Sequence, residues 1–119
     1  MQRKHRDLRA WQAAVELVES VYQVTAAFPR EEAFGLTSQM RRAAVSIPAN
    51  IAEGAARNST KQLLHFLTVA SGSLSERDTH LEVAGRLGHL SDVGSVRDKA
   101  DGVFALLVGL SASLKRKSA

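Results

Sequence analysis

Apolar residues return every three or four positions along almost the whole chain, and no stretch alternates with the period of two that marks a strand. Leu8, Trp11, Val15, Val18, Tyr22 and Thr25, widened by Val21 and Phe28, predict a first helix over 7–28 with Asp7 as its N-cap. Pro29 ends it, because the residue before a proline is driven out of the α region. A short acidic turn over 28–35 leads to a second helix, whose core stripe is Leu36, Met40, Ala43, Ala44, Ile47 and Ile51. Ser59, with Gln62 three residues on, forms a capping box that opens a third helix over 60–87. Its stripe is Leu63, Phe66, Leu67, Ala70, Leu74, Leu81 and Ala84. Arg77 stands where that stripe calls for an apolar residue, so either its stem packs while its head reaches water, or it meets a carboxylate. After a connector over 88–94, Val96, Ala100, Val103, Leu107, Leu110 and Leu114 predict a last helix over 95–115. Four helices with short connectors predict an all-α, up-down-up-down antiparallel four-helix bundle. It forms a single domain over 1–119, with short basic ends at 1–6 and 115–119.

The second helix is patterned differently from the others. Gln39, Arg42, Ser46, Asn50, Glu53 and Arg57 recur at spacings of three and four and form a polar stripe beside the core stripe, not opposite it. The face opposite the core carries Val45, Ala49 and Ala52, with Arg41 as its main charge. A solvated helix face is normally charged, so this one predicts enclosure by a second copy of the chain; the alternative is that these residues merely favour helix. Pro48 lies inside the segment, where it removes a backbone donor and crowds the preceding turn. Both stripes keep phase across it, which predicts a continuous helix kinked at Pro48. Ser46 and Asn50 are placed to bond freed backbone groups, and Gly54 marks the fraying end.

Charge adds to this picture. The 119 residues carry a formal net charge of +4. Arg3, Lys4, Arg6, Arg9, Lys115, Arg116 and Lys117 crowd the two ends with one acid, Asp7, among them, while the body between is slightly acidic. Basic ends on a near-neutral body fit a polyanion such as RNA or DNA. They fit solubilising tails equally, and basic residues at a C-terminal helix end complement its dipole. There is no cysteine, so thiol catalysis, disulfides and thiolate metal sites are all excluded. No run approaches the length of a membrane span, and the charged N-terminus has no apolar stretch of a secretory signal behind it. These features predict a cytoplasmic protein without a membrane association.

Catalytic patterns are lacking. Glu76 and His80 are four apart, but no second such pair completes a metal site, and His5, His65 and His89 stand alone. The serines lack a nucleophile-elbow setting, and both glycine-rich phosphate loops are missing. Arg42, Asn50, Glu53 and Arg57 are the one cluster with the look of a site, and a polar stripe beside a core ordinarily serves hydrogen bonds and ion pairs between helices or subunits. No catalytic residue, metal or cofactor is expected. No nucleic-acid reading module is present either, which leaves backbone contact from the basic ends, tolerant of sequence and sensitive to salt.

Three runs carry a resemblance: DLRAWQAA at 7–14, FGLTSQMRRAAVSIPANIAEG at 34–54 with Arg57 just beyond, and FLTVASGSL at 66–74. They resemble a bacterial family of small four-helix-bundle proteins, named after those encoded in intervening sequences of 23S ribosomal RNA genes. The accessory variability proteins of diversity-generating retroelements are related to it. The resemblance implies a ring-shaped homopentamer without catalytic activity. From the retroelement relatives it further implies nucleic-acid binding and association with a reverse transcriptase. It also implies that Arg42, Ser46, Pro48, Asn50 and Glu53 determine fold and assembly. The chain departs from the family pattern at 75–81, SERDTHL, where Arg77 replaces a usual leucine and His80 a usual glutamine.

The expectation is therefore a non-enzymatic, oligomeric scaffold or accessory protein that touches phosphates through Arg3, Lys4, Arg6, Arg9, Lys115, Arg116 and Lys117. The alternative is a protein-interaction module whose basic ends meet an acidic partner.

Overall fold

The structure, a computed structural model, describes residues 4–118, with the backbone alone at Ser118. Four α-helices make up most of it: α1 at Arg9–Thr25, α2 at Leu36–Ala55, α3 at Thr60–Arg86 and α4 at Gly94–Ser118. Short 3-10 turns at Lys4–Asp7 and Arg30–Glu32 precede α1 and α2, and no strand occurs among the described residues. Each helix packs on two others, in the cyclic order α1, α2, α3, α4, and the backbones of diagonal pairs do not approach each other. Pairs of contacts fix the directions. Ser46 bonds Ser73 across α2 and α3 at 2.8 Å, and Gly54 lies against Phe66 further along, so those two helices are antiparallel. Lys99 near the start of α4 donates to Ser20 near the end of α1 at 2.6 Å. The result is an up-down-up-down bundle, 48 Å long and 26 × 19 Å across.

The helix boundaries follow local chemistry. Ser59 caps α3 as predicted, its hydroxyl accepting from the Gln62 backbone N–H at 3.2 Å. At the other end of α3, Gly88 adopts a positive φ of 78°. The Gly88 N–H then reaches the Gly85 carbonyl, and that of His89 reaches Ala84, a closure that satisfies two terminal carbonyls. Asp92 accepts from the N–H of Gly94 at 3.0 Å and starts α4. The start of α1 differs from expectation. Asp7 lies in the 3-10 turn, and the N-cap is Leu8, with no side-chain bond. The helix also stops at Thr25 rather than 28, where the Thr25 hydroxyl turns back on the Val21 carbonyl at 2.6 Å.

The core contains the predicted stripes of α2, α3 and α4 except Phe66, which is half-buried outside it, with Leu36, Leu63, Leu110 and Leu114 partly buried at its edge. On α1 the centre of the stripe is turned by about one residue. Ala10, Ala14, Leu17 and Val21 are buried, Leu8, Trp11 and Val18 flank them, and Tyr22 is exposed. Alanines at the centre let α2 and α4 come close to α1, and the larger residues fill the shoulders.

Helix α2 runs unbroken through Pro48, whose side chain is buried. The Asn50 amide donates to the Ser46 carbonyl at 2.7 Å and to its hydroxyl at 2.9 Å. Ser46 in turn bonds Ser73, so a short polar chain ties α2 to α3 beside the proline. The carbonyl that Pro48 deprives of a donor is that of Ala44, so Asn50 supports the neighbouring turn and not the expected group. Gly54 does stand at the end of α2, the last residue but one, but it is buried instead of frayed: a Cβ there would stand 2.8 Å from the Cβ of Phe66. Its lack of a side chain is what lets α3 approach.

Candidate nucleic-acid interface

The basic residues that are far apart in sequence meet at one end of the bundle. Lys4 and Arg6 lie on the 3-10 turn, Arg9 is the first residue of α1, and Lys115, Arg116 and Lys117 form the last turn of α4. All six are exposed; Arg3 lies outside the described residues. Because α1 and α4 are antiparallel neighbours, the start of one sits beside the end of the other. A shallow groove lined by Leu8, Arg9, Leu106 and Leu110, among others, joins them.

The α2–α3 turn lies at the same end, and the 3-10 turn of Lys4–Asp7 packs on α2 as well as α1. That adds Arg57 and Lys61, both exposed. Sequence reasoning placed Arg57 in the assembly stripe and passed over Lys61, since neither is near a chain end; only the folding-back of α2 and α3 reveals them. This end therefore gathers eight basic residues and two acids, Asp7 and Glu53. The rest of the described molecule holds seven basic residues and ten acids. The molecule is positively charged at one end and negatively charged over the remainder.

Part of this surface is held in place. The guanidinium of Arg6 lies 5.4 Å from the Trp11 ring, and the Gln12 amide donates to the Arg6 carbonyl at 2.7 Å. Arg57 donates to Glu53 at 2.6 Å and stands over Phe66 at 5.4 Å. An exposed pair of this kind adds little stability, but it fixes where the charge sits. Phosphates need no more than that, since backbone contact rests on positive potential without base-edge geometry.

The polar stripe of α2 separates into parts. Ser46 and Asn50 belong to the α2–α3 tie, and Glu53 and Arg57 to the basic end. Gln39 and Arg42 are exposed. Arg41, counted with the outer face, is held instead on α1, donating to the Thr25 hydroxyl at 2.9 Å and stacking 4.4 Å from the Tyr22 ring.

Two further clusters lie away from this end. Arg77 is fully buried between α3 and α4, and none of its three guanidinium nitrogens has a hydrogen-bond partner. Burial lowers its pKa from the ordinary value; Asp78 and Asp101 nearby raise it, and Arg97 lowers it. Neither expected outcome for Arg77 holds: the head does not reach water, and no carboxylate bonds it. Arg97 bridges Glu82 at 3.0 Å and Asp78 at 3.4 Å, and Arg86 adds a bond to Glu82 at 2.8 Å. Those bonds from Arg86 and Arg97 hold Glu82 below the usual carboxylate range, and the same contacts raise Arg97, Glu82 first. His89, expected to stand alone, bonds Glu32 at 3.0 Å and closes the far end of the bundle. Glu76 is exposed, and the Nδ1 of His80 is buried without a partner. Among the described residues no group of three His, Asp or Glu side chains is placed to hold a metal ion. No helix there is long and apolar enough to cross a membrane.

Fold and charge together define a small helical bundle with one positively charged end. The chain belongs to the 23S rRNA-intervening sequence protein family, whose model matches residues 6–109. That match spans α1, α2, α3 and the greater part of α4. A search of curated proteins finds no match.

Proposed function

We propose that this protein is a non-enzymatic, ring-forming bundle, pentameric in solution, that binds nucleic acid without regard to sequence through its basic end. One observation carries the reading: antiparallel packing brings Lys4, Arg6, Arg9, Arg57, Lys61 and 115–117 to one end of the molecule. A cluster of that size is weak in one protomer and becomes effective when several copies face the same strand. The apolar outer face of α2 supports the assembly.

Binding of labelled RNA and DNA strands, followed by anisotropy across a salt series, tests the reading. Affinity is expected to be high in low salt and to fall steeply as salt rises. Replacing Lys115, Arg116 and Lys117 by Gln removes three phosphate contacts and reduces the log–log salt slope for a single strand by about 2. These residues are exposed, so the helix signal is expected to stay unchanged. No binding in low salt, or binding indifferent to these substitutions, overturns it. A mass of about five protomers by light scattering supports the ring; a single protomer excludes it.

A further inference from the structure

The outer faces of α2 and α4 lie at diagonally opposite corners of the bundle, since the backbones of these two helices do not approach each other. Helix α4 has no charged residue between Asp101 and Lys115, yet Phe104 and Val108 on it are 52% and 51% exposed. Ala105 is open to solvent beside them. Gly102 and Gly109 flank this stripe inside the helix, where glycine is the costliest residue after proline. A Cβ at either would meet nothing within 4 Å. Gly54, against which α3 packs, shows what an internally required glycine looks like; Gly102 and Gly109 answer to nothing within the protomer.

The outer face of α2 is its counterpart. Val45 is 43% exposed, and Ala49 and Arg42 are exposed along the same face. The charges are complementary: α2 presents Arg42, and the α4 side presents Asp101, with Asp78 across the groove from it. The two faces also match in height. Ser46 is level with Ser73, so one turn further along the antiparallel pair Arg42 is level with Arg77. Arg77 shares its groove with Asp101. Helices α2 and α4 run in the same direction, so Val45 and Ala49, three and seven residues beyond Arg42, fall within one residue's rise of Ala105 and Gly109, four and eight beyond Asp101.

We propose that the outer face of α2 packs lengthwise on the outer face of α4 of a second copy. Arg42 faces Asp101, Val45 lies against Ala105, and Ala49 sits over Gly109. The two surfaces differ, so each copy uses both, and repetition by a rotation without a rise along the helices closes into a ring. This specifies the contact on which the proposed assembly rests.

The chain has no cysteine, so single thiols can be placed cleanly. Ala49→Cys and Gly109→Cys variants, mixed and treated with a short dithiol-reactive cross-linker, are expected to join to each other and not to themselves. The double variant is expected to yield a ladder that ends at the ring. Gly109→Leu, which has open space for its side chain within the protomer, is expected to keep the helix signal and reduce the solution mass to one protomer. If wild type is itself a single protomer, the assembly reading falls. If wild type assembles but Gly109→Leu does too, or Ala49→Cys joins itself, this interface is overturned and the assembly stands.

Discussion

Arg77 is the largest fully buried side chain in the core and leaves its three nitrogens without hydrogen-bond partners. Its position was legible from helical phase, but the fate of its head was not. That depends on which groups α4 brings up to it, and Asp78, the adjacent carboxylate, is occupied by Arg97. Burying an unpaired charge is costly. Arg77→Leu is therefore expected to stabilise the protomer by about 1–3 kcal/mol, read as a higher denaturation midpoint with an unchanged slope. A lower midpoint would mean that the guanidinium has a partner in solution that stabilises it. Small residues carry the opposite lesson. Gly54, Gly102 and Gly109 look alike in sequence, and only the approach of α3 sets the first apart.

Among elements, the helices were legible because amphipathic stripes are long and strongly periodic; their ends and exact faces were less so. The capping box at Ser59 worked because its chemistry is local. Asp7 failed as a cap because the chain before α1 winds into a 3-10 turn of its own. The face of α1 was misjudged by one position because Trp11, Val18 and Tyr22 were taken to mark its centre, whereas Ala10, Ala14, Leu17 and Val21 occupy it. Close approach also decides the α2–α3 pair. Gly54→Ala adds a favourable helix former but places its Cβ 2.8 Å from that of Phe66. The overpacking outweighs the propensity gain, and a net loss of about 1–2 kcal/mol is expected in chemical denaturation. A gain would show that α3 can move aside freely.

At the scale of the molecule, each basic end was visible in the sequence, but their meeting required the bundle's direction reversals. Arg57 and Lys61 belong to the surface for the same reason. Replacing both by Gln is expected to weaken RNA binding in low salt and flatten its salt dependence by about 1 in log–log slope for a single strand. An unchanged titration would confine the contact to the chain ends. The separation of charge along a 48 Å axis also makes the protomer an electric dipole. Near a polyanion such a body turns before it touches, landing with its positive pole inward. Copies bound in that orientation present acidic poles to the solvent and repel a second strand. Under the proposed binding, the consequence is a coat on nucleic acid, and not a bridge between two pieces of it.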